Sequence, residues 1–270
     1  MKQFHTISGL PRSGSTLLCN ILNQNPLFYA SSTSPLCGFV SQLSSAISHS
    51  IEFKAELNDN SDKANLRAEC AVRSIVDSWY SDFNDKVVFD KGRAWCSSSL
   101  VLRQLFPDAK IIVMVRDLRN IFASIEKQHK KNPVLDEAND FSGKQIFNRA
   151  DAMFSPSGLI GGPIAGIEDI INRKNNSIIF VQYETLASNP QAALDKIYRE
   201  LGLDIFQHNF DDIKNTATDP DGFYLDKYPH EGSGKVVPSN PSEWKEHFSD
   251  DIANLIMGRF QFFNKYFGYL

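Results

Sequence analysis

The most constraining feature of the sequence is a glycine-bearing segment between a predicted strand and a predicted helix. This segment, SGLPRSGSTLL, spans residues 8–18, after a short strand-like run at 4–7 and ahead of the helical pattern LLCNIL. A strand, a turn and a helix in this order point backbone N–H groups at an anion, because first-turn amides have no partner inside the helix. We therefore predict that the segment binds a phosphate or a sulfate group.

One position separates this segment from the loop of nucleoside triphosphatases, GxxxxGK[ST]. Gly9, Gly14 and Thr16 match that pattern, but Ser15 stands where the lysine should be, and the cation is instead Arg12. The lysine normally reaches the β- and γ-phosphates, so its absence argues against kinase or ATPase chemistry.

Composition limits the other classes of function. The chain has 270 residues, 42% of them apolar, and a net charge of −4, which predicts one α/β domain and disfavours nucleic acid or an anionic membrane as partner. The longest aliphatic run, IIVMV, is too short to span a bilayer. Four scattered cysteines without a CxxC pair predict no metal site and no disulfide framework, so we expect a cytoplasmic protein. The oligomeric state stays open, with a homodimer as one option.

The alternation of strand-like and helix-like segments predicts a central parallel sheet flanked by helices. Residues 130–165 do not follow the alternation and are expected to form a lid or an acceptor-binding insertion, with a helix at about 143–154. Serine and proline predict a loop from Phe28 to about residue 38. Further helices are expected at 39–52, 62–81, 97–106, from 118, from Pro190 to the stop at Gly202, and at 250–267.

Two more strand ends carry polar residues at the predicted ligand-binding edge of the sheet. KVVFDKGR ends in Asp90, Lys91 and Arg93, and Asp90 also fits the magnesium-binding strand of triphosphatases. The apolar run at 110–115 is followed by Arg116, ahead of a helix. All four side chains are candidates for the site.

Together these stretches resemble the sulfotransferases that use 3′-phosphoadenylyl sulfate (PAPS), especially the branch that contains the tyrosylprotein sulfotransferases. PRSGSTLL is similar to the 5′-phosphosulfate loop, VRDLRN with Ser124 to the 3′-phosphate element, and YETLASNP to a segment whose tyrosine, here Tyr183, lies near the nucleotide. The resemblance is looser around the glycine-rich stretch that contains Ser233 and Lys235, which matches the closing loop over the nucleotide. It implies a P-loop-like sulfotransferase fold.

The resemblance also implies roles. The amides of residues 13–16, that is Ser13, Gly14, Ser15 and Thr16, would hold the 5′-phosphate, and Arg12 would neutralise the leaving phosphate. Lys91 would stabilise the sulfuryl group in the transition state. Arg116 and Ser124 would bind the 3′-phosphate, and the product would be PAP, the desulfated nucleotide.

Two other functions remain alternatives at this level. A P-loop kinase or nucleoside triphosphatase would use Asp90 as its magnesium ligand, and Ser15 is its weak point. A catalytically inert nucleotide-binding module would share most of the binding residues.

The general base is not identified by the motifs. Related enzymes of the tyrosylprotein branch carry a glutamate where a gapless alignment places Thr33, and threonine cannot accept the proton at neutral pH. His49 and Glu52, predicted on one helical face, are candidates, with His129 and His230 as weaker ones. We therefore expect a small-molecule acceptor with a hydroxyl or an amine, bound between the serine-rich loop and the 130–165 insertion, and not a protein tyrosine. A carboxylate from another segment near Thr33 would remove the basis for excluding tyrosine.

Overall fold

The computed structural model describes residues 1–131, 145–174, 176–219, 221–224, 229, 230 and 232–270. Within them, five parallel strands form one sheet in the order β2-β3-β1-β4-β5. Helices flank the sheet, which confirms the predicted fold class. The strands are β1 (Gln3–Gly9), β2 (Phe28–Thr33), β3 (Val87–Lys91), β4 (Ile111–Val115) and β5 (Ile178–Gln182). The α-helices are α1 (Ser15–Leu22), α2 (Leu36–His49), α3 (Ile51–Asp59), α4 (Ser61–Trp79), α5 (Ser99–Leu105), α6 (Leu118–Lys131), α7 (Ile146–Met153), α8 (Gly161–Asn172), α9 (Tyr183–Ser188), α10 (Pro190–Leu201), α11 (Asp250–Arg259) and α12 (Gln261–Phe267).

Two apolar cores cover the two faces of the sheet. Alternate residues of β4 divide between them: Val113 packs with Val76 and Phe122 on one face, and Met114 packs with Leu18 and Ile197 on the other. Burial on both faces explains why β4 is apolar at every position. The strands also end together, so the polar residues that follow them meet at one edge.

The serine-rich stretch after α1 is a strand and not the predicted loop. In β2, Phe28, Ala30 and Ser31 are buried, and Phe28 to Ala30 pair with Val87 to Phe89 of β3. Pairing to an existing strand overrode the weak β propensity of alanine and serine. The register shifts between Ala30 and Thr33, next to the site.

Helix boundaries account for the other differences from the sequence-based predictions. The helix expected at 39–52 is divided between α2 and α3, because Ser50 is extended and its hydroxyl accepts the Phe53 amide as an N-cap. The helix expected at 250–267 is divided at Phe260, whose backbone is not helical. The other predicted helices agree to within a few residues, and Gly202 ends α10 with the left-handed conformation expected of a stop.

Part of the predicted insertion lies outside the described residues, which resume at 145. There α7 confirms the helix expected at about 143–154 to within a few residues, whereas α8 was not predicted. A buried ion pair between Arg149 and Glu126 joins α7 to α6 at 2.5 Å. None of the described helices is both long enough and apolar enough to cross a bilayer.

Candidate active site

The loop between β1 and α1 has the backbone conformation of an anion-binding turn. Gly14 precedes the first residue of α1 with a φ of 86°, and Arg12 has a φ of 56°. Gly9 has a φ of 129°, and a Cβ there would lie 2.1 Å from the carbonyl oxygen of Met114. The loop thus needs glycine both for its turn and for its close approach to β4. First-turn amides of α1 have no acceptor inside the helix and are available for an anion.

Tyr183 and Arg116 form one side of the site. A Cβ on Gly14 would lie 2.5 Å from Cδ2 of Tyr183, so the tyrosine ring packs directly on the loop. The guanidinium of Arg116 lies over that ring, 4.4 Å from its centroid, and donates a hydrogen bond to the carbonyl oxygen of Arg12 at 3.1 Å. The structure therefore brings together three stretches that are far apart in sequence, as predicted.

Arg12 connects the loop to two further segments. Its Nε donates to Oγ of Ser124 on α6 at 3.1 Å, and its Nη1 donates to the carbonyl oxygen of Pro229 at 2.7 Å. Arg12 and Ser124 were both assigned to nucleotide binding from separate motifs, and they are hydrogen-bonded here.

Lys91 lies at the other side of the loop and is almost fully buried. Its ammonium donates to Oγ1 of Thr16 at 3.0 Å and contacts Oδ2 of Asp219 at 2.6 Å. Ser13 is also buried, but its hydroxyl donates to the carbonyl of Leu10. Any contact of Ser13 with an anion would thus come from its amide.

Asp219 was not singled out by the sequence analysis. Its Oδ1 accepts the amide of Thr33 at 2.6 Å. Burial raises the pKa of the Asp219 carboxyl, but the charge and hydrogen bond of Lys91 and the hydrogen bonds from Thr33 outweigh burial and lower it below its usual value. A carboxylate from another segment therefore stands beside Thr33, and the absence of a glutamate at that position no longer argues against a tyrosine acceptor.

His230 is the candidate base nearest to this carboxylate. Its Nδ1 lies 2.5 Å from Oδ1 of Asp221 and 3.9 Å from Oδ2 of Asp219, and its side chain is partly exposed. A carboxylate on one ring nitrogen fixes the tautomer and leaves the other nitrogen as a proton acceptor.

The other predicted bases lie elsewhere. His49 and Glu52 are exposed on separate helices, so they do not share one helical face as predicted. His49 contacts the carbonyl of Ser45, and Glu52 accepts the hydroxyl of Ser50. His129 is half-buried on α6.

Asp90 is part of the core. Its carboxylate accepts the hydroxyl of Tyr80 and, at 2.6 Å, Nε1 of Trp95. Burial raises the Asp90 pKa, although these hydrogen bonds act in the opposite direction. The prediction of Asp90 at the ligand edge is wrong, because aromatic residues enclose its side chain. The described residues contain no cluster of three or more potential metal ligands, and Arg93 is exposed.

The glycine-rich stretch near the C-terminus reaches the loop through Gly232. A Cβ there would lie 2.8 Å from the amide nitrogen of Leu17, and the carbonyl of Gly232 accepts a hydrogen bond from Asn20. Ser233 is exposed, and Lys235 pairs with Asp211 at 2.7 Å on the surface. The predicted contact of Ser233 and Lys235 with the nucleotide stays a prediction.

Asn20 was also missed. Its side chain accepts the amides of Thr216 and Ala217 and donates to Gly232, which fixes the segment before Asp219 against α1. A lone asparagine within an apolar helix was the available signal, since a buried amide needs partners.

The site thus consists of a loop of the phosphate-binding type at the carboxyl edge of a parallel sheet, with the buried cations Lys91 and Arg116 beside it. A family model described as "Sulfotransferase family" matches residues 6–208. This chain belongs to the sulfotransferase family.

Solved structures share the fold at low sequence identity. The sulfotransferase domain of the Synechococcus PCC 7002 olefin synthase is 18% identical, with a TM-score of 0.55 and coverage of 95% of this chain and 93% of that one. Mouse sulfotransferase SULT7A1, complexed with PAP, is 13% identical, with a TM-score of 0.55 and coverage of 95% and 85%. Retinol dehydratase, in complex with androsterone and PAP, is 12% identical, with a TM-score of 0.55 and coverage of 97% and 80%.

Proposed function

We propose that this chain transfers the sulfuryl group of PAPS to a hydroxyl or an amine of a small-molecule acceptor. The observation that carries the proposal is the convergence of Arg12, Lys91 and Arg116 around a loop that lacks the triphosphatase lysine. PAP in the structures of SULT7A1 and retinol dehydratase, and androsterone in the latter, support this donor and this type of acceptor.

The reaction moves one group between two oxygens or between oxygen and nitrogen. The acceptor atom attacks sulfur, the bond from sulfur to the 5′-phosphate oxygen breaks, and the acceptor's proton passes to a base. As in phosphoryl transfer, the protein aligns the reactants and neutralises the charge that develops on them. Lys91 would contact the sulfuryl group, Arg12 and the loop amides the 5′-phosphate, and Arg116 with Ser124 the 3′-phosphate.

The proton acceptor in this proposal is His230. Asp221 contacts its Nδ1, and the carbonyl oxygen of the preceding residue, Pro229, accepts a hydrogen bond from Arg12. These contacts support a position of the ring beside the end of the site that would hold the sulfuryl group. Replacing His230 with Asn should lower kcat by about 10²- to 10⁴-fold and leave PAP affinity unchanged. It should also remove the decrease of kcat at low pH, because that decrease reflects protonation of the base. An unchanged pH–rate profile in the variant would reject His230.

The donor is tested first, by ligand-induced shifts of the melting temperature. PAP should raise the melting temperature and ATP with Mg²⁺ should not, because only ligands that bind the folded state stabilise it. The reverse result would favour a triphosphatase and reject the proposal.

Turnover is then tested with PAPS and a panel of alcohols, phenols, amines and an acidic tyrosine peptide. Consumption of PAPS with a small acceptor is expected. Tight PAP binding without turnover on any acceptor would support an inert nucleotide-binding module, and preferential use of the peptide would replace the small-molecule acceptor by a protein.

A further inference from the structure

Two carboxylates from the C-terminal third contact the two buried cations at opposite ends of the candidate site. Oδ2 of Asp219 lies 2.6 Å from the Lys91 ammonium, and Oε2 of Glu243 lies 3.5 Å from Nη2 of Arg116. Lys91 is the last residue of β3, and Arg116 directly follows β4. Both carboxylates come after β5, the last strand. Carboxylates of the chain itself therefore neutralise the two cations that, in the proposed function, bind the nucleotide.

The contact of Glu243 leaves Arg116 incompletely used. Its distance of 3.5 Å is at the limit of a hydrogen bond, and the buried Nε of Arg116 has no hydrogen-bond partner among the described residues. Only 8% of Arg116 is exposed, so water has little access to that nitrogen. A phosphate group offers more oxygens in the planar geometry that a guanidinium prefers.

Each carboxylate also has a second partner that would keep it in place after losing the cation. Oε1 of Glu243 lies 3.6 Å from the ammonium of Lys127, and Oδ1 of Asp219 accepts the amide of Thr33. The exchange of a carboxylate for a nucleotide oxygen would therefore leave neither Glu243 nor Asp219 without a favourable contact.

We propose that Glu243 and Asp219 compete with the two anionic ends of the nucleotide for Arg116 and Lys91. Glu243 holds Arg116 until a 3′-phosphate replaces it, and Asp219 holds Lys91 until a sulfuryl group replaces it. This inference rests on the proposed function. Two anions beside one buried cation repel each other, so each carboxylate lowers the affinity for the ligand group at its own end only.

Two nucleotides separate the two ends. PAP carries the 3′-phosphate without a sulfuryl group, and adenosine 5′-phosphosulfate carries the sulfuryl group without a 3′-phosphate. Titration calorimetry of both ligands should show that Glu243→Gln binds PAP about three- to tenfold more tightly and adenosine 5′-phosphosulfate unchanged. Asp219→Asn, which retains an acceptor for Thr33, should show the opposite pattern.

Glu246→Gln is the matched control. Glu246 lies on the same short helical turn, is exposed, and gives the same change of net charge. It should leave both affinities within about twofold, since exposed charges act weakly through solvent.

Several outcomes would overturn the inference. Weaker binding of PAP to Glu243→Gln would mean that Glu243 helps to position Arg116, and equal effects of Glu243→Gln and Glu246→Gln would mean a long-range charge effect. If Asp219→Asn does not fold, the Glu243 result decides alone. Wild-type protein that does not bind PAP contradicts the proposed function, whereas wild-type binding with no change in Glu243→Gln contradicts only the competition.

Discussion

The two ends of the candidate site use the same chemistry, a cation paired with a carboxylate, in different environments. Side-chain exposure is 6% for Lys91 and 1% for Asp219, but it is 28% for Glu243, which also contacts the exposed Lys127. A buried pair that loses one member leaves a charge without solvent, whereas a partly exposed carboxylate is rescued by water. The Lys91 end should therefore affect folding stability, and the Arg116 end mainly ligand affinity.

The largest effect is expected from removing one member of the buried pair. Lys91→Ala should lower the free energy of unfolding by about 3–5 kcal/mol, because Asp219 stays buried without its partner. It should also lower kcat by about 10²- to 10³-fold, because Lys91 acts on charge in the transition state. Urea unfolding and single-turnover kinetics measure the two effects.

The double variant Lys91→Ala/Asp219→Ala separates the effect on stability from the effect on turnover. Relative to Lys91→Ala, it should recover part of the free energy of unfolding and none of the turnover. Recovery of turnover would show that Lys91 is needed only to neutralise Asp219.

At the other end, Arg116→Ala should weaken PAP binding by about 2–3 kcal/mol, the range for losing a charged hydrogen-bonding partner. Binding of adenosine 5′-phosphosulfate should change little. The free energy of unfolding should fall by less than in Lys91→Ala, because Glu243, left without Arg116, is partly exposed to water. Equal losses for the two ligands, measured by calorimetry, would contradict the assignment of the 3′-phosphate to Arg116.

Acid should weaken the pairing at the Asp219 end of the site. Because the folded state lowers the Asp219 pKa below its usual value of 3.8, the carboxylate stabilises the fold above about pH 4, and this contribution is lost as the pH falls through the folded pKa. The stability difference between wild type and Asp219→Asn should thus be constant near neutral pH and shrink below pH 4.

Two buried histidines should make the stability of both wild type and Asp219→Asn depend on pH in the same way. Burial, aided at His5 by the charge of Lys110, lowers the pKa values of His5 and His208 to about 4. Both protonate more readily when unfolded, so the free energy of unfolding should fall from pH 6.5 to pH 4 in both proteins. A difference that varies in this range would point to a group other than Asp219.

Smaller effects are expected from removing single hydroxyl groups, beginning with Ser124→Ala. It removes one hydrogen bond to Arg12 and one predicted contact with the 3′-phosphate, so PAP affinity should fall by about fivefold, or about 1 kcal/mol. Ser233→Ala, at an exposed position, should change it less. A larger effect at Ser233 would show that the glycine-rich stretch contacts the nucleotide as the sequence predicted.

Local patterns predicted the elements that place the loop. The apolar run of β4 and the glycines before α1 each reflect a local requirement, burial on both faces or a positive φ, and both were confirmed. Arg12 and Ser124 both belong to motifs recognised at the carboxyl edge, but the hydrogen bond between them was not predicted.

Contacts between distant segments determine which carboxylates lie at the site, and local sequence patterns do not reveal these contacts. Asp90 looked like a ligand because of its place in a strand, but Tyr80 and Trp95 enclose it. Asp219 has no local pattern, and its position depends on Asn20, almost two hundred residues earlier, which binds the segment before it. Such pairings become visible only when distant segments meet.

The strand order also affects how the chain can fold during synthesis. β1 is made first, yet both strands that hydrogen-bond to it, β3 and β4, appear only after α1, β2 and three further helices. Until the ribosome has released residues up to β4, the most central strand has apolar side chains and unpaired backbone groups exposed to solvent. Non-local pairing of this kind slows folding and favours association with other chains. Yield during expression should therefore depend on chaperones that bind nascent chains, even though the finished sheet has its central strand fully covered.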